Sequence, residues 1–414
     1  MQTFHLIGIL TTLAAGFGLI NYHLLRLPTT IGLMLQSLVC SVLLLVLQAA
    51  GIPIAEPVRQ ALAQIDFDQL LLEGLLSFLL FAGALFVKNE ELLEVKWDIA
   101  VFATVGVLIS TGLIGGMLWW ACRLFELPIR PLYCFLFGAL ISPTDPVAVL
   151  PILRAQGISR QLDAQIAGEA LFNDGIGIVL FLTLLTLSGG AAVHGSDVVW
   201  LLVKEAAGGL GFGALLGWIG YRLMKSVDNY QLEILITLAL VSGGYALALL
   251  AGVSGALAMV VAGLLVGGPG RRLAMSKRTR DNLDRFWELV EELLNSVLFT
   301  LIGLEMLAIV TRIDATHILA ALLSIPLVLL ARMLSVGSIR ILLRCFGSLI
   351  PHSWPIMTWS GLRGGISIAL ALSLPRSGER SVVLVATYAV VAFSILVQGS
   401  TLKYLVAWRT GRNG

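Results

Sequence analysis

The chain reads as long apolar runs separated by short polar connections. A helix needs about 20 apolar residues to cross the hydrocarbon core of a bilayer. Thirteen stretches fit, near 4–22, 29–49, 68–87, 97–122, 131–153, 161–187, 197–224, 230–249, 253–268, 286–310, 315–346, 353–375 and 380–407. The ninth is short and the eleventh long for a single crossing. Inside a bilayer, backbone groups must be paired within a helix or around a closed barrel. Runs of this length predict an all-α polytopic membrane protein with about 13 transmembrane helices. The start, Met1-Gln2-Thr3-Phe4, lacks a basic region and a cleavage site, so it reads as part of the first span.

Composition narrows the class. Of 414 residues, 58% are hydrophobic and 13% charged, against roughly 25% charged in soluble domains. No sizeable soluble domain is expected. Cys40, Cys122, Cys134 and Cys345 show no paired spacing, so neither a disulfide framework nor a metal site is indicated. No cofactor and no nucleic-acid partner are expected; membrane lipid is.

Lysine and arginine set the orientation. Alternate connections, starting from the one holding Arg26, carry eighteen of them; the opposite side carries six. Three more, Lys204, Arg332 and Arg363, fall inside spans. The basic excess marks the cytoplasmic side, which puts the N-terminus outside and the C-terminus in the cytoplasm. The charged stretch 271–292 mixes Arg272, Arg280 and Arg285 with Leu273, Leu283, Phe286 and Trp287. It predicts an amphipathic segment on the cytoplasmic face.

Two spans are interrupted. Ser142-Pro143-Thr144-Asp145-Pro146 breaks the fifth, and Ser360-Gly361-Leu362-Arg363-Gly364-Gly365 breaks the twelfth. Broken helices at matching positions in two halves point to a transport site between inverted repeats. The expected architecture is therefore two inverted six-helix repeats, 1–187 and 230–407, joined by a linker helix at 197–224. Two discontinuous helices would cross between them. Proline lacks an N–H and disfavours helical geometry in the residue before it. The first half-helix should stop near Ile141, and the second restart with Asp145 as N-cap and Pro146 at its first position. The carbonyls freed between them can face a cation, because irregular backbone at this depth must line protein or water. The alternative is that Asp145 only caps. Arg363 lies mid-span, where an unpaired guanidinium is very costly. It needs a carboxylate, and Glu169 is the first candidate for a structural ion pair.

The sixth span holds Gly168-Glu169-Ala170-Leu171-Phe172-Asn173-Asp174 within apolar sequence. Ionisable side chains there mark ion or proton pathways. A small monovalent cation prefers hard oxygens. Asp174 supplies a carboxylate, Thr144 a backbone carbonyl, and Asn173 an amide that orients its neighbours. Burial disfavours a bare carboxylate, so a cation and a proton compete for Asp174. One carboxylate alternating between one cation and one proton predicts electroneutral exchange. The bland reading of Asn173 and Asp174 is hydrogen bonding between helices.

These motifs, in this order across nearly the whole chain, resemble the monovalent cation–proton antiporters, in the branch of bacterial sodium–proton antiporters and animal sodium–proton exchangers. The resemblance implies a homodimer in a bacterial inner membrane, each protomer with a dimerisation domain and a mobile core. It implies that Asp174 carries Na+ (or Li+ or K+) or a proton, and that Thr144 and Asp145 line the site. It also implies that Glu169 pairs with Arg363. The Asn173-Asp174 pair looks like the electroneutral branch. Two departures stand out: Ala170 replaces a serine ligand, and Ala82 stands where many relatives carry a carboxylate. They make K+ an alternative to Na+.

Other readings compete. A cation channel would not need a carboxylate at which protonation competes with the ion. The zinc-protease His-Glu-x-x-His and nucleophile-elbow Gly-x-Ser-x-Gly patterns are absent, which argues against an intramembrane enzyme. An oxygen-only ligand set argues against an organic substrate. Glu305, Glu73, Glu205 and Glu233 lie near predicted span ends and read as interfacial, as do the five histidines.

Overall fold

A computed structural model describes residues 3–51, 69–147, 149–187, 195–309, 314–344 and 353–410. No strand occurs among them. In chain order the principal helices are α1 (Thr3–Ile20), α2 (Thr29–Ala49), α3 (Leu76–Phe86), α4 (Lys96–Leu124) and α5 (Pro131–Ile141). There follow α6 (Leu150–Ala155), α7 (Arg160–Leu187), α8 (Gly195–Lys225), α9 (Tyr230–Leu250) and α10 (Gly255–Leu273). The last are α11 (Lys277–Ile309), α12 (Ala315–Arg344), α13 (Ser353–Trp359), α14 (Gly365–Leu372) and α15 (Gly378–Trp408). Among the described residues, nine helices are long and apolar enough to cross a membrane, and α5 is a shorter apolar one.

Local chemistry sets the helix ends. Pro131 opens α5, where its missing N–H is harmless. The Asn229 side chain accepts from Gln231 and Leu232 at the start of α9, and Ser254 accepts from Leu257 at the start of α10. Exposed Leu19, Val39, Val42, Trp200, Trp218 and Leu322 give α1, α2, α8 and α12 faces suited to lipid.

α7 is buried on nearly every face from Leu162 to Thr183, as a helix at the centre of a bundle must be. α4, α5, α8 and α10 pack around it. α2 lies along α11, where the Ser41 hydroxyl donates to the Gly303 carbonyl at 2.8 Å. Small residues let the two backbones approach closely.

The charged stretch 271–292 is divided between the end of α10 and the first turns of α11. Part of its apolar side meets protein, while Leu273 and Leu289 are exposed. Leu283 and Trp287 are fully buried, and the Trp287 ring lies 4.9 Å from that of Phe81. The Trp287 indole N–H donates to Thr237 on α9 at 3.1 Å. Two carboxylates read as interfacial are also buried. Glu233 accepts from the Thr279 hydroxyl at 3.1 Å, and Glu305 sits inside the bundle on α11. Nearness to a span end misled there, because neighbouring helices cover both ends.

Candidate ion-binding site

The site begins with two failed helices that repair one another. α5 ends at Ile141, and regular helix resumes at Leu150. The carbonyl of Ser142 would normally accept from residue 146, but Pro146 has no N–H. The carbonyl of Pro143 would accept from Val147, whose N–H is instead held by Asp145 Oδ1 at 2.9 Å. Both orphaned carbonyls are taken by Arg363 Nη1, at 2.9 Å each. In return, the Asp145 N–H donates to the Leu362 carbonyl across the crossing at 2.8 Å. The Arg363 N–H is held by Ser394 Oγ at 2.6 Å. Gly364 is required at this approach: a Cβ there would overlap the Asp145 carboxylate.

α7 supplies the remaining groups. Asn173 Nδ2 donates to Thr144 Oγ1 at 2.9 Å, tying α7 to the first break. Asp174, one position on, is only 7% exposed. Among the described residues no hydrogen bond or ion pair engages its carboxylate. One turn earlier, Glu169 Oε1 accepts from Arg332 Nη1 of α12 at 2.5 Å. Both are buried, at 2% and 7% exposure. Arg332 also donates to the Met357 carbonyl, from Nη2 at 3.1 Å and Nε at 3.3 Å. That carbonyl lies in the last turn of α13, where helical partners run out.

The expected Glu169–Arg363 pair is therefore corrected: Glu169 pairs with Arg332. The physical reason is hydrogen-bond demand. The prolines leave two carbonyls at the crossing, and Nη1 of Arg363, a residue only 1% exposed, is engaged by both. The carbonyls of Ser142 and Pro143, expected to be free for a cation, are occupied for the same reason. Arg332 is the residue that sequence reasoning missed. Its signal was present, as one of three basic residues inside spans.

A cavity of about 680 Å³ reaches the crossing. Pro143, Asp145, Asp174 and Gly364 form part of its lining. Thr144 is buried beside it, with Asn173 behind. The structure thus brings Thr144, Asp145, Asn173 and Asp174 to one place, with Glu169 one turn away. The opposite wall is α11, which contributes Glu288, Glu291, Glu292 and Asn295. These acids were read only as part of an amphipathic stretch. Ala82 and Ala170, at the two positions of departure, are buried and offer no side-chain oxygen.

Comparison with known proteins finds relatives along nearly the whole chain. The family model for the transmembrane sodium/hydrogen exchanger matches residues 9–408. The Na(+)/H(+) antiporter NhaP of Pseudomonas aeruginosa is 46% identical over 393 residues, covering 94% of this chain and 92% of that protein. The Na(+)/H(+) antiporter NhaH of Halobacillus dabanensis is 34% identical over 420 residues, covering 98% of each. The structure of the sodium proton antiporter MjNhaP1 from Methanocaldococcus jannaschii at pH 8 superposes with a TM-score of 0.77 at 21% identity, covering 99% of both chains. With its helical membrane-spanning fold, its crossed helix breaks and this match along nearly its full length, the chain belongs to the sodium/hydrogen exchanger family, and is a multi-pass membrane transporter and not an enzyme.

Proposed function

We propose that this chain exchanges Na+ for a proton across a bacterial plasma membrane, with Asp174 holding either ion in turn. The observation that carries the reading is the Asp174 carboxylate: almost fully buried, beside a cavity, and engaged by no other side chain among the described residues. A buried carboxylate in that state is costly unless a proton or a cation neutralises it. Thr144 offers further oxygen, and Asn173 orients its hydroxyl. Asp145 lines the approach. Relatives named for Na+/H+ antiport give K+ no preference.

Charge counting supports electroneutral exchange. Asp145, Glu169 and Asp174 carry three negative charges at the crossing when ionised. Arg332 and Arg363 carry two positive ones. One cation or one proton balances the remainder. In this reading the chain makes thirteen crossings, with 1–187 and 230–407 as inverted halves and 197–224 between them. The N-terminus is outside, and the protein works as a homodimer.

The test is proton flux in proteoliposomes with Na+, Li+ and K+, for wild type and Asp174→Asn. Wild type should dissipate an imposed proton gradient on addition of Na+, without generating a current. Asp174→Asn should not respond. Sodium-driven flux that survives in Asp174→Asn would overturn the assignment.

A further inference from the structure

We propose that Glu291 and Asn295 of α11, together with Oδ2 of Asp145, form a staging site where a monovalent cation sheds part of its water before reaching Asp174. This rests on the reading of Asp174 as the transport site and adds a second position to it.

Glu288 and Glu292 are exposed, Glu291 is half-buried and Asn295 is 6% exposed. All four line the cavity. At 1.5 Å of rise per residue they descend about 10 Å along one helix. The ladder runs from a solvated carboxylate to a desolvated amide. Asn295 is the independent sign of a ligand. It is nine-tenths buried, borders the cavity, and has no hydrogen bond to its amide among the described residues. Its amide therefore opens on the cavity with no protein partner among the described residues, free to meet a ligand there.

The charge balance points to a cation. Five carboxylates border the cavity, those of Asp145, Asp174, Glu288, Glu291 and Glu292. Arg154 is the one basic residue in that lining, and Asp163 already holds its guanidinium through bonds of 2.9 and 3.1 Å. Asp145 Oδ1 is bonded to the Val147 N–H, while Oδ2 lies beside Gly364 and carries no hydrogen bond among the described residues. Carboxylate and amide oxygens on facing walls are hard donors, suited to Na+. A cation held between α11 and the first break has Asp174 as its next oxygen inward. α11 is thereby given a part in ion selection that the motifs of the broken helices do not contain.

The experiment measures half-saturating Na+ and maximal rate separately, in proteoliposomes loaded at fixed pH. Glu291→Gln should raise the half-saturating concentration about tenfold, as loss of one nearby charge predicts, with the maximal rate within about twofold. Asn295→Asp should lower it, which gives a readout in the opposite direction. Binding of radioactive Na+ to Asp174→Asn should persist weakly, and disappear in Asp174→Asn/Glu291→Gln. Unchanged half-saturation in both single variants overturns the staging site, as does a fall in maximal rate alone. Continued exchange by Asp174→Asn would instead overturn the transport site, a result distinct from either.

Discussion

Removing the Arg332 guanidinium tests the hydrogen-bond account of the crossing most directly. In Arg332→Met the aliphatic length is kept and three donor contacts are lost: one to Glu169 and two to the Met357 carbonyl. Glu169 is then a buried carboxylate without a partner. Breaking a buried pair by removing one member costs about 3–5 kcal/mol, most of it the stranded charge. Glu169→Gln strands Arg332 less severely, because the amide still accepts a hydrogen bond and Met357 still receives its donors. The double variant Glu169→Gln/Arg332→Met leaves no charge stranded, so it should be more stable than Arg332→Met alone, even though it carries one more substitution.

The assay is thermal unfolding of the purified protein in detergent, followed by size-exclusion recovery after heating, for the four members of the cycle. Coupling between neighbours in one network is about 0.5–3 kcal/mol, and a buried ion pair belongs at the upper end. The same cycle with Arg363→Met in place of Arg332→Met should be closer to additive, because the Nη1 contacts of Arg363 are with carbonyls and not with Glu169. Equal melting of wild type and Arg332→Met would refute the reasoning. So would stronger coupling of Glu169 to Arg363 than to Arg332.

Three further outcomes follow from the crossing. Gly364→Ala places a methyl group against the Asp145 carboxylate, and should reduce Na+-driven proton flux by at least about tenfold, measured in proteoliposomes beside Gly378→Ala, where no neighbour is met. Thr144→Val leaves the Asn173 amide buried without its acceptor, at a cost of about 1–3 kcal/mol and with weaker Na+ affinity; Thr144→Ser should restore most of both. Ser394→Ala removes the acceptor of the Arg363 N–H; it should lower melting by about 1–3 kcal/mol equivalent while transport per folded molecule changes little.

The all-helical, membrane-spanning fold was legible in the sequence because bilayer physics leaves few options. Apolar runs can only be helices, and Pro143, Pro146 and the glycines around Arg363 can only interrupt them. The stop at Ile141 and the bond from Asp145 to Val147 follow from local rules. Partner choice over long distances was not legible. Glu169 and Arg332 are 163 positions apart, and nothing in a single sequence ranks Arg332 above Arg363. The ranking emerges only once the carbonyls of Ser142 and Pro143 are counted as competing acceptors. The cavity wall was hidden for a related reason. Glu288, Glu291 and Glu292 read as the polar face of a charged stretch, and polar faces ordinarily meet water. Here that face borders a cavity inside the protein, because Leu283 and Trp287 pin the other face of α11 against α3 and α9.

The framework of the crossing is held by protein groups, with Asn173 Oδ1 and Arg363 Nε unpartnered among the described residues, and that has a consequence for Asp174. Arg363 answers the carbonyls of the first break, the Asp145 N–H answers the second, and Arg332 answers Glu169. Asp174 enters none of these bonds. On the proposed reading it is a buried carboxylate kept for exchange and not for cohesion, and such groups reduce stability where function requires them. Asp174→Asn should therefore melt at or above wild type in the absence of sodium. The second comparison is sharper. Sodium binds the folded protein and should raise wild-type melting in proportion to the logarithm of its concentration above the dissociation constant. Most of that rise should vanish in Asp174→Asn, leaving only what weak binding elsewhere supplies. If Asp174→Asn melts well below wild type without sodium, the carboxylate is structural, and the separation of framework from ion site fails.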